Sequence, residues 1–499
     1  MSSITTDLTD FPLASETQKY LESALIGHVI EGDVVASRSG ETMPIIHPAT
    51  GAEIGWAAAG GPDDVEQAVT SARRAFDDGR WRDLAPLEKE RRLRRLSELV
   101  AEHADVFSDI DVLDAGLLKV YTGFIVQATL DAVDYYAGWP SKISGTIPAV
   151  PNDVAVYVVR EPVGVIGLVV PWNGPTFVLG FIAAALACGN SVVVKPAEQT
   201  PMAAVLMGQL CLEAGIPPGV VNVLQGTGET VGAALVAHPG VDAIAFTGSI
   251  ETGRRIQAAA APRVKRVSLE LGGKSAQIVF ADAELETAAA TAAMAVWGAS
   301  GQVCTAGSRV LVQRSIHDEL VERIAAVSRG LRIGSPFDPA VDLGPVVSAQ
   351  QLDRITGYVA IGNDEGAALT LGGRRHGDVG YFFEPTIFSD VRNDMRIAQE
   401  EIFGPVMCVI PFDTEEDAFT IANDTEYGLS AGVWTSDVTR AHRAYRALRA
   451  GTVWVNTYQE VNAAVPYGGV KQSGHGRALG AASLDELLQT KTVWMKVSR

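Results

Sequence analysis

Short apolar runs alternate along the chain with stretches of helical spacing. GVIGLVV (164–170), SVVV (191–194), VVNVL (220–224) and DAIAF (242–246) are strand-length and almost wholly apolar. Runs of this kind, separated by helices, predict a parallel sheet covered on both faces. A second series follows: AQIVF (276–280), RVLVQ (309–313), VMCVI (406–410), AGVWT (431–435) and TVWVN (452–456). Two α/β units in tandem are expected. Upstream, Val65, Ala68, Val69, Ala72 and Phe76 recur at helical spacing, with Asp63 and Asp64 as caps and Gly79 as the stop. Pro86 opens a further helix with Arg91, Arg92, Arg94 and Arg95 opposite Leu93, Leu96 and Leu99. Helical spacing explains that basic run as a solvated face rather than an anion site.

Two segments fit neither series. VAVYVVR (154–160) and TKTVWMKV (490–497) read as half-exposed strands. Exposed strands need a partner, which predicts an oligomer interface. The stretch from Pro162 to Val194 has no charged residue, yet Pro171, Asn173, Gly174 and Pro175 interrupt it. Each flank falls short of the roughly 20 apolar residues of a membrane span. Buried strand, turn and buried helix are expected there.

Composition narrows the function classes. The chain has 499 residues, 47% of them hydrophobic, which implies two or more domains. Its net charge of -19 repels nucleic acid and anionic membranes, so neither is an expected partner. The four cysteines form no CxxC pair or Cys/His cluster, so no metal site is expected. So few cysteines suit a reducing cytoplasm. The opening MSSITTDLTDFPLASE lacks a basic region followed by an apolar run and reads as neither signal nor transit peptide.

Cys304 lies in GQVCTAGSR, where small flexible residues leave a thiol free at a turn. Cys188, Cys211 and Cys408 sit among core residues and read as small buried hydrophobes. Glu270, in SLELGGKS, closes an apolar strand just before Gly272 and Gly273. Burial there raises a carboxyl pKa and makes a candidate base, at the strand end where α/β sheets place their sites. GTGETVG (226–232) departs from the GxGxxG spacing, whereas FTGSIETG (246–253) follows a strand and precedes a helix, the setting for a pyrophosphate. Taken in isolation, either glycine-rich stretch reads better as a structural turn. The lysine and glutamate of KPAEQTP (195–201) suit ribose hydroxyls or a plain βα loop.

Together these segments resemble the aldehyde dehydrogenase superfamily. PWN (171–173), KPAE (195–198), FTGS (246–249), ELGGKS (270–275), GQVC (301–304), EEIFGP (400–405) and PYGGVKQSGHGR (466–477) occur in the family's order. The resemblance implies an α/β fold in three parts. A Rossmann-like coenzyme domain takes 1–143 and 162–269, a second α/β catalytic domain takes 270–470, and 144–161 with 486–499 form a small β oligomerisation arm. It implies that Cys304 attacks the aldehyde carbon, that Asn173 and the Cys304 backbone N–H form the oxyanion hole, and that Glu270 activates the water that hydrolyses the thioester. Lys195 and Glu198 take the adenosine-ribose role, Ser249 the pyrophosphate contact, Glu401 the nicotinamide ribose and Phe403 a place beside the nicotinamide. Trp172, Gly228, Thr252, Leu271 and Gln351 are further cofactor candidates. Glu198 suits free ribose hydroxyls and repels a 2′-phosphate, so NAD is favoured over NADP. A homodimer or homotetramer is implied.

Two departures stand out. Where many relatives carry a lysine after PWN and a glutamate in the GRALG segment, this chain has Phe181 (or Ile182) and Ala478. That leaves Glu270 as the one evident base and the proton exit route open. Gly174 replaces a bulky aromatic, and Phe177, Phe181, Trp297, Tyr458 and Val461 are tunnel neighbours by position, with Thr305 and Glu460 as possible polar contacts. A medium-sized apolar or aromatic aldehyde is expected rather than an acidic semialdehyde. A non-catalytic NAD-binding relative would have lost the nucleophile or base, and CoA-acylating relatives typically lack the glutamate of ELGGKS. Both residues are retained here.

Overall fold

The computed structural model describes residues 3–4 and 11–497. The rest of the N-terminal segment, and residues 498–499 of the expected arm, lie outside the described residues. The first apolar series forms the centre of an eight-stranded sheet. In spatial order its strands are Gly474–His475, Arg266–Leu271, Ala243–Gly248, Val165–Val169, Ser191–Lys195, Val221–Val223, His28–Ile30 and Asp33–Val35. The central pairings are parallel. The chain's two ends close the edges in antiparallel fashion. The second series forms a seven-stranded sheet: Ala368–Leu371, Thr386–Ser389, Val406–Phe412, Arg309–Gln313, Ala276–Val279, Ser430–Trp434 and Thr452–Val455. Only its edge pairing, Ala368–Leu371 with Thr386–Ser389, is antiparallel.

The continuous apolar runs follow from burial on both faces. Ile166, Leu168, Val192 and Val194 face one core, and Val165, Val169 and Val193 the other. The second sheet divides alike, with Ile278 and Leu311 on one side and Val279, Val310 and Val312 on the other. Residues 272–275 lead from the strand Arg266–Leu271 of the first sheet to Ala276–Val279 of the second. Residue 270 therefore lies within a strand of the first sheet, and Gly474–His475 returns to that sheet beyond residue 470.

The first long helix spans Pro62–Asp77 and is capped by Gly61, not by Asp63 or Asp64. Proline suits the first helical position, which moves both aspartates into the first turn. There the Asp64 carboxylate accepts the Gly61 N–H at 2.9 Å and the Arg38 N–H at 3.0 Å. Pro86–Glu102 carries the arginine run, and Arg91, Arg92 and Arg95 pair with Glu88, Glu98 and Glu102 on its surface. Val165–Val169 and the buried helix Val178–Ala187 flank the proline-rich turn. Among the described residues no helix is long and apolar enough to cross a membrane.

The two orphan segments pair with each other. Val154–Pro162 and Leu488–Lys496 form a separate antiparallel ribbon, each strand nine residues long. Leu488–Lys496 is mostly exposed, with Trp494 presenting 63% of its surface, whereas Val154–Pro162 is mostly half-buried.

Candidate active site

Nine of the singled-out residues line one cleft of about 380 Å³: Trp172, Asn173, Ser249, Glu270, Leu271, Cys304, Gln351, Glu401 and Phe403. Cys304 reaches it from a loop of unusual backbone. Ala299, Ser300 and Gly301 all have positive φ, at 47°, 56° and 75°. A methyl group on Gly301 would overlap the backbone of Gly404, so GQVC and EEIFGP are pressed together. Gln302 clamps the loop, donating to the Ala299 carbonyl at 3.1 Å and accepting the Val347 N–H at 2.9 Å. The Cys304 thiol is partly open to the cleft, and its Sγ lies 2.9 Å from the Tyr467 hydroxyl. Burial pushes this thiol above its ordinary range, while the Tyr467 bond pulls it back. Cys188, Cys211 and Cys408 are buried, as expected of small hydrophobes.

Glu270 is held between parallel Thr247 and antiparallel Gly474. The side chain is 9% exposed, and neither carboxylate oxygen has a hydrogen-bond partner among the described residues. Burial raises its pKa to about 8, against the opposing pull of Arg477. Gly468, at φ 153°, lies so close that a methyl group there would meet Oε1 at 2.5 Å. Glu270 also forms part of a second cavity, with about 70 Å³ of water-sized space, behind the cleft. Phe181 and Ala478 line that cavity, so the two departures lie together beside the candidate base. Ile182 is fully buried in the core and does not share that position.

Asn173 donates one amide hydrogen to the Gln302 carbonyl at 2.9 Å, which fixes it against the Cys304 loop. Its second amide hydrogen stays available to a carbonyl oxygen entering the cleft. Glu401 accepts the Gly273 N–H at 3.0 Å, and a methyl group on Gly272 would overlap its carboxylate. Burial raises the Glu401 carboxyl as well. Phe403, at φ 61°, meets Trp172 edge to face with centroids 5.3 Å apart. Gln351 acts on this loop through its amide, donating to the Phe403 carbonyl at 2.7 Å. Lys195 is buried and pairs with Glu198 at 2.9 Å. Glu198 lines an adjoining cavity of about 240 Å³, which shares Gln199, Val347 and Ser348 with the cleft.

Some expected positions lie elsewhere. Gly228 opens the short turn Gly228–Gly232, and Thr252 sits in the first turn of Ile250–Ala260; neither lines the cleft. Thr252 instead gives its N–H to the capping oxygen of Ser249 at 3.2 Å. Trp297 is fully buried and donates to Ser328 at 2.9 Å, so it lines no tunnel. Tyr458 is buried behind the nucleophile loop, its hydroxyl on the Thr305 carbonyl at 3.0 Å. Sequence reasoning missed Gln199, Thr247, Gln302, Ser348, Arg354 and Tyr467. Gln199, Thr247, Gln302 and Tyr467 lie inside quoted motifs. Arg354, which bonds the Glu401 and Ile402 carbonyls, sits in an ordinary amphipathic helix that gives no signal.

The cleft fits a dinucleotide. The strand Ala243–Gly248 runs into the N-terminus of the helix Ile250–Ala260 at its wall, the arrangement that accepts a pyrophosphate. Gly272 leaves the space that Glu401 fills, and the buried Lys195–Glu198 pair lies toward the far cavity. A sequence model described as the aldehyde dehydrogenase family matches residues 34–493. The chain belongs to the aldehyde dehydrogenase family. It is a nicotinamide-dependent oxidoreductase of that family, with the aldehyde dehydrogenase fold. Human retinal dehydrogenase 2 is 44% identical over 92% of this chain and 90% of its own length. An indole-3-acetaldehyde dehydrogenase of P. syringae, in complex with NAD+ and IAA, is 42% identical, covering 97% of this chain and 99% of its own, with TM-score 0.94. An NAD+ complex of a Bacillus cereus aldehyde dehydrogenase is 39% identical over 100% of both chains, with TM-score 0.96. Among the described residues of this aldehyde dehydrogenase, no group of three or more His, Cys, Asp or Glu is placed to hold a metal.

Proposed function

We propose that this aldehyde dehydrogenase oxidises an aldehyde to the carboxylic acid with NAD, using Cys304 as nucleophile and Glu270 as the base for hydrolysis. The observation that carries this reading is the meeting of both side chains at one cleft wall. The Cys304 thiolate adds to the aldehyde carbon, and the developing oxyanion takes hydrogen bonds from Asn173 and the Cys304 N–H. Bound NAD supplies the hydride acceptor. The acyl group then rests on Sγ as a thioester. Glu270, free of other partners, takes a proton from water as that water attacks the acyl carbon. The acid departs, and Cys304 is restored.

Lys195 and Glu198 hold the adenosine ribose in this reading, Glu401 the nicotinamide ribose, and Trp172, Ser249, Leu271 and Phe403 the remaining cofactor wall. Free ribose hydroxyls suit Glu198, which supports NAD over NADP, as do the NAD+ complexes of the P. syringae and B. cereus relatives. A medium-sized apolar or aromatic aldehyde is the proposed substrate. A side chain at Gly174 would meet only Phe177, at 3.9 Å, and Phe177 and Phe181 stack edge to face. Among the described residues, the one cation on the cleft wall, Arg354, is engaged with backbone carbonyls, which disfavours a substrate carboxylate. The exposed ribbon supports assembly into a homodimer or homotetramer. Four free cysteines suit the cytoplasm.

NADH formation should be followed with benzaldehyde and succinate semialdehyde, with and without CoA, in the wild type and in C304S. Benzaldehyde is expected to be preferred, to give the free acid without CoA, and to be inert with C304S. Preference for the semialdehyde would reject the substrate class, and turnover by C304S would reject the mechanism.

A further inference from the structure

The groups around the Cys304 sulfur pose an electrostatic problem. Among the described residues, the titratable side chains that interact most strongly with it are Glu401 on the EEIFGP loop, Glu270 on the strand Arg266–Leu271, Tyr121 on the helix Lys119–Ala137, and Tyr458 and Tyr467 on the segment after Thr452–Val455. They are two carboxylic acids and three phenols, with no lysine, arginine or histidine among them. Elsewhere a reactive thiolate is stabilised by a neighbouring cation or a helix N-terminus. Cys304 has no helix N-terminus, since it lies in a loop beyond the short turn Gly298–Gly301, and the two charged groups that act most on it, Glu401 and Glu270, are acidic. A negative charge on its sulfur depends on neutral hydrogen-bond donors.

Tyr467 is placed to be that donor. Its hydroxyl oxygen is 2.9 Å from Sγ. Its backbone is anchored by reciprocal bonds with Ala478, at 2.7 and 2.8 Å, and burial of the ring holds the hydroxyl beside the sulfur. The next residue, Gly468, passes over Glu270, so one short segment addresses both candidate reacting groups. We propose that Tyr467 is a further catalytic residue, whose phenolic hydrogen bond to Sγ stabilises the Cys304 thiolate. On ionisation the thiol proton leaves to solvent in the cleft, while Tyr467 keeps its own. Burial holds the phenol protonated well beyond neutral pH, so it stays a donor across the working range. The inference rests on Cys304 being the nucleophile.

The test reads the sulfur directly. The rate of Cys304 alkylation by iodoacetamide, located by peptide mass, should be followed against pH in cofactor-free wild type, Y467F and E270Q. Loss of a bond to a charged acceptor predicts that Y467F moves the midpoint upward by about one to two pH units. E270Q, by removing a like charge, should move it down. Placing 3-fluorotyrosine at 467 retains the ring's shape while strengthening the donor, and should also lower the midpoint. This second replacement decides the matter if Y467F fails to fold. A midpoint unmoved by the phenylalanine, or by the fluorinated residue, overturns the proposal. Turnover in C304S would instead remove the nucleophile reading, whatever the alkylation midpoints show.

Discussion

The Glu270 carboxyl is buried without a hydrogen-bond partner, and its pKa of about 8 has measurable consequences. Below that pH the group is mostly protonated and cannot take a proton from water. Thioester hydrolysis should therefore rise about tenfold per pH unit up to about pH 8 and then level off. Single-turnover acid release measured against pH checks this. E270Q should lose roughly 10²–10⁴-fold in that step and the pH-dependent limb with it. A flat profile in the wild type would argue against this carboxyl as the base. Stability moves in the opposite sense. A folded pKa raised from 4.5 to about 8 favours the native state at low pH, and that contribution is lost as pH rises toward the folded value. E270Q, which cannot ionise, should gain melting temperature relative to wild type at pH 9 but not at pH 5.

Between the two sheets, the turn at Gly272 and Gly273 sets the position of Glu401 through one hydrogen bond and one absent methyl group. G272A should displace that carboxylate and raise the KM for NAD by roughly tenfold, about 1.4 kcal/mol of binding, with little change in far-UV circular dichroism. An unchanged KM would show that Glu401 does not touch the cofactor. Elements of this length were legible where periodicity had room to act. The central strands were evident because burial on both faces leaves almost no polar residue in them. The edge strands Asp33–Val35 and Gly474–His475 are too short to show any period, and the chain's ends reach them from far away. Glycine-rich turns were ambiguous for a different reason: GTGETVG and FTGSIETG look alike in sequence, yet only the second borders the cleft. Trp297 was misplaced because an aromatic side chain near a nucleophile in sequence can equally fill the core on the far side of its helix. Tyr467 lies inside PYGGVKQSGHGR, but its contact with Cys304 spans 163 positions of chain, which no local pattern shows.

At the scale of the whole molecule, the ribbon of Val154–Pro162 and Leu488–Lys496 stands apart from both sheets, with Trp494 and Met495 exposed. W494D should weaken self-association and shift sedimentation toward smaller species at micromolar concentration, with the melting of each subunit little altered. An unchanged distribution would exclude the ribbon from the interface. The space behind Glu270 has a further consequence. It shares Arg266 and Glu486 with a hollow that opens at the ribbon's base, whereas the cleft in front holds Cys304. The carboxyl thus stands in a partition with a chamber on each side. Aldehyde and coenzyme can plug the front chamber while the rear one still has room for a water molecule or two. In the proposed hydrolysis, the proton that Glu270 takes up therefore lies beside the rear chamber as well as the front one.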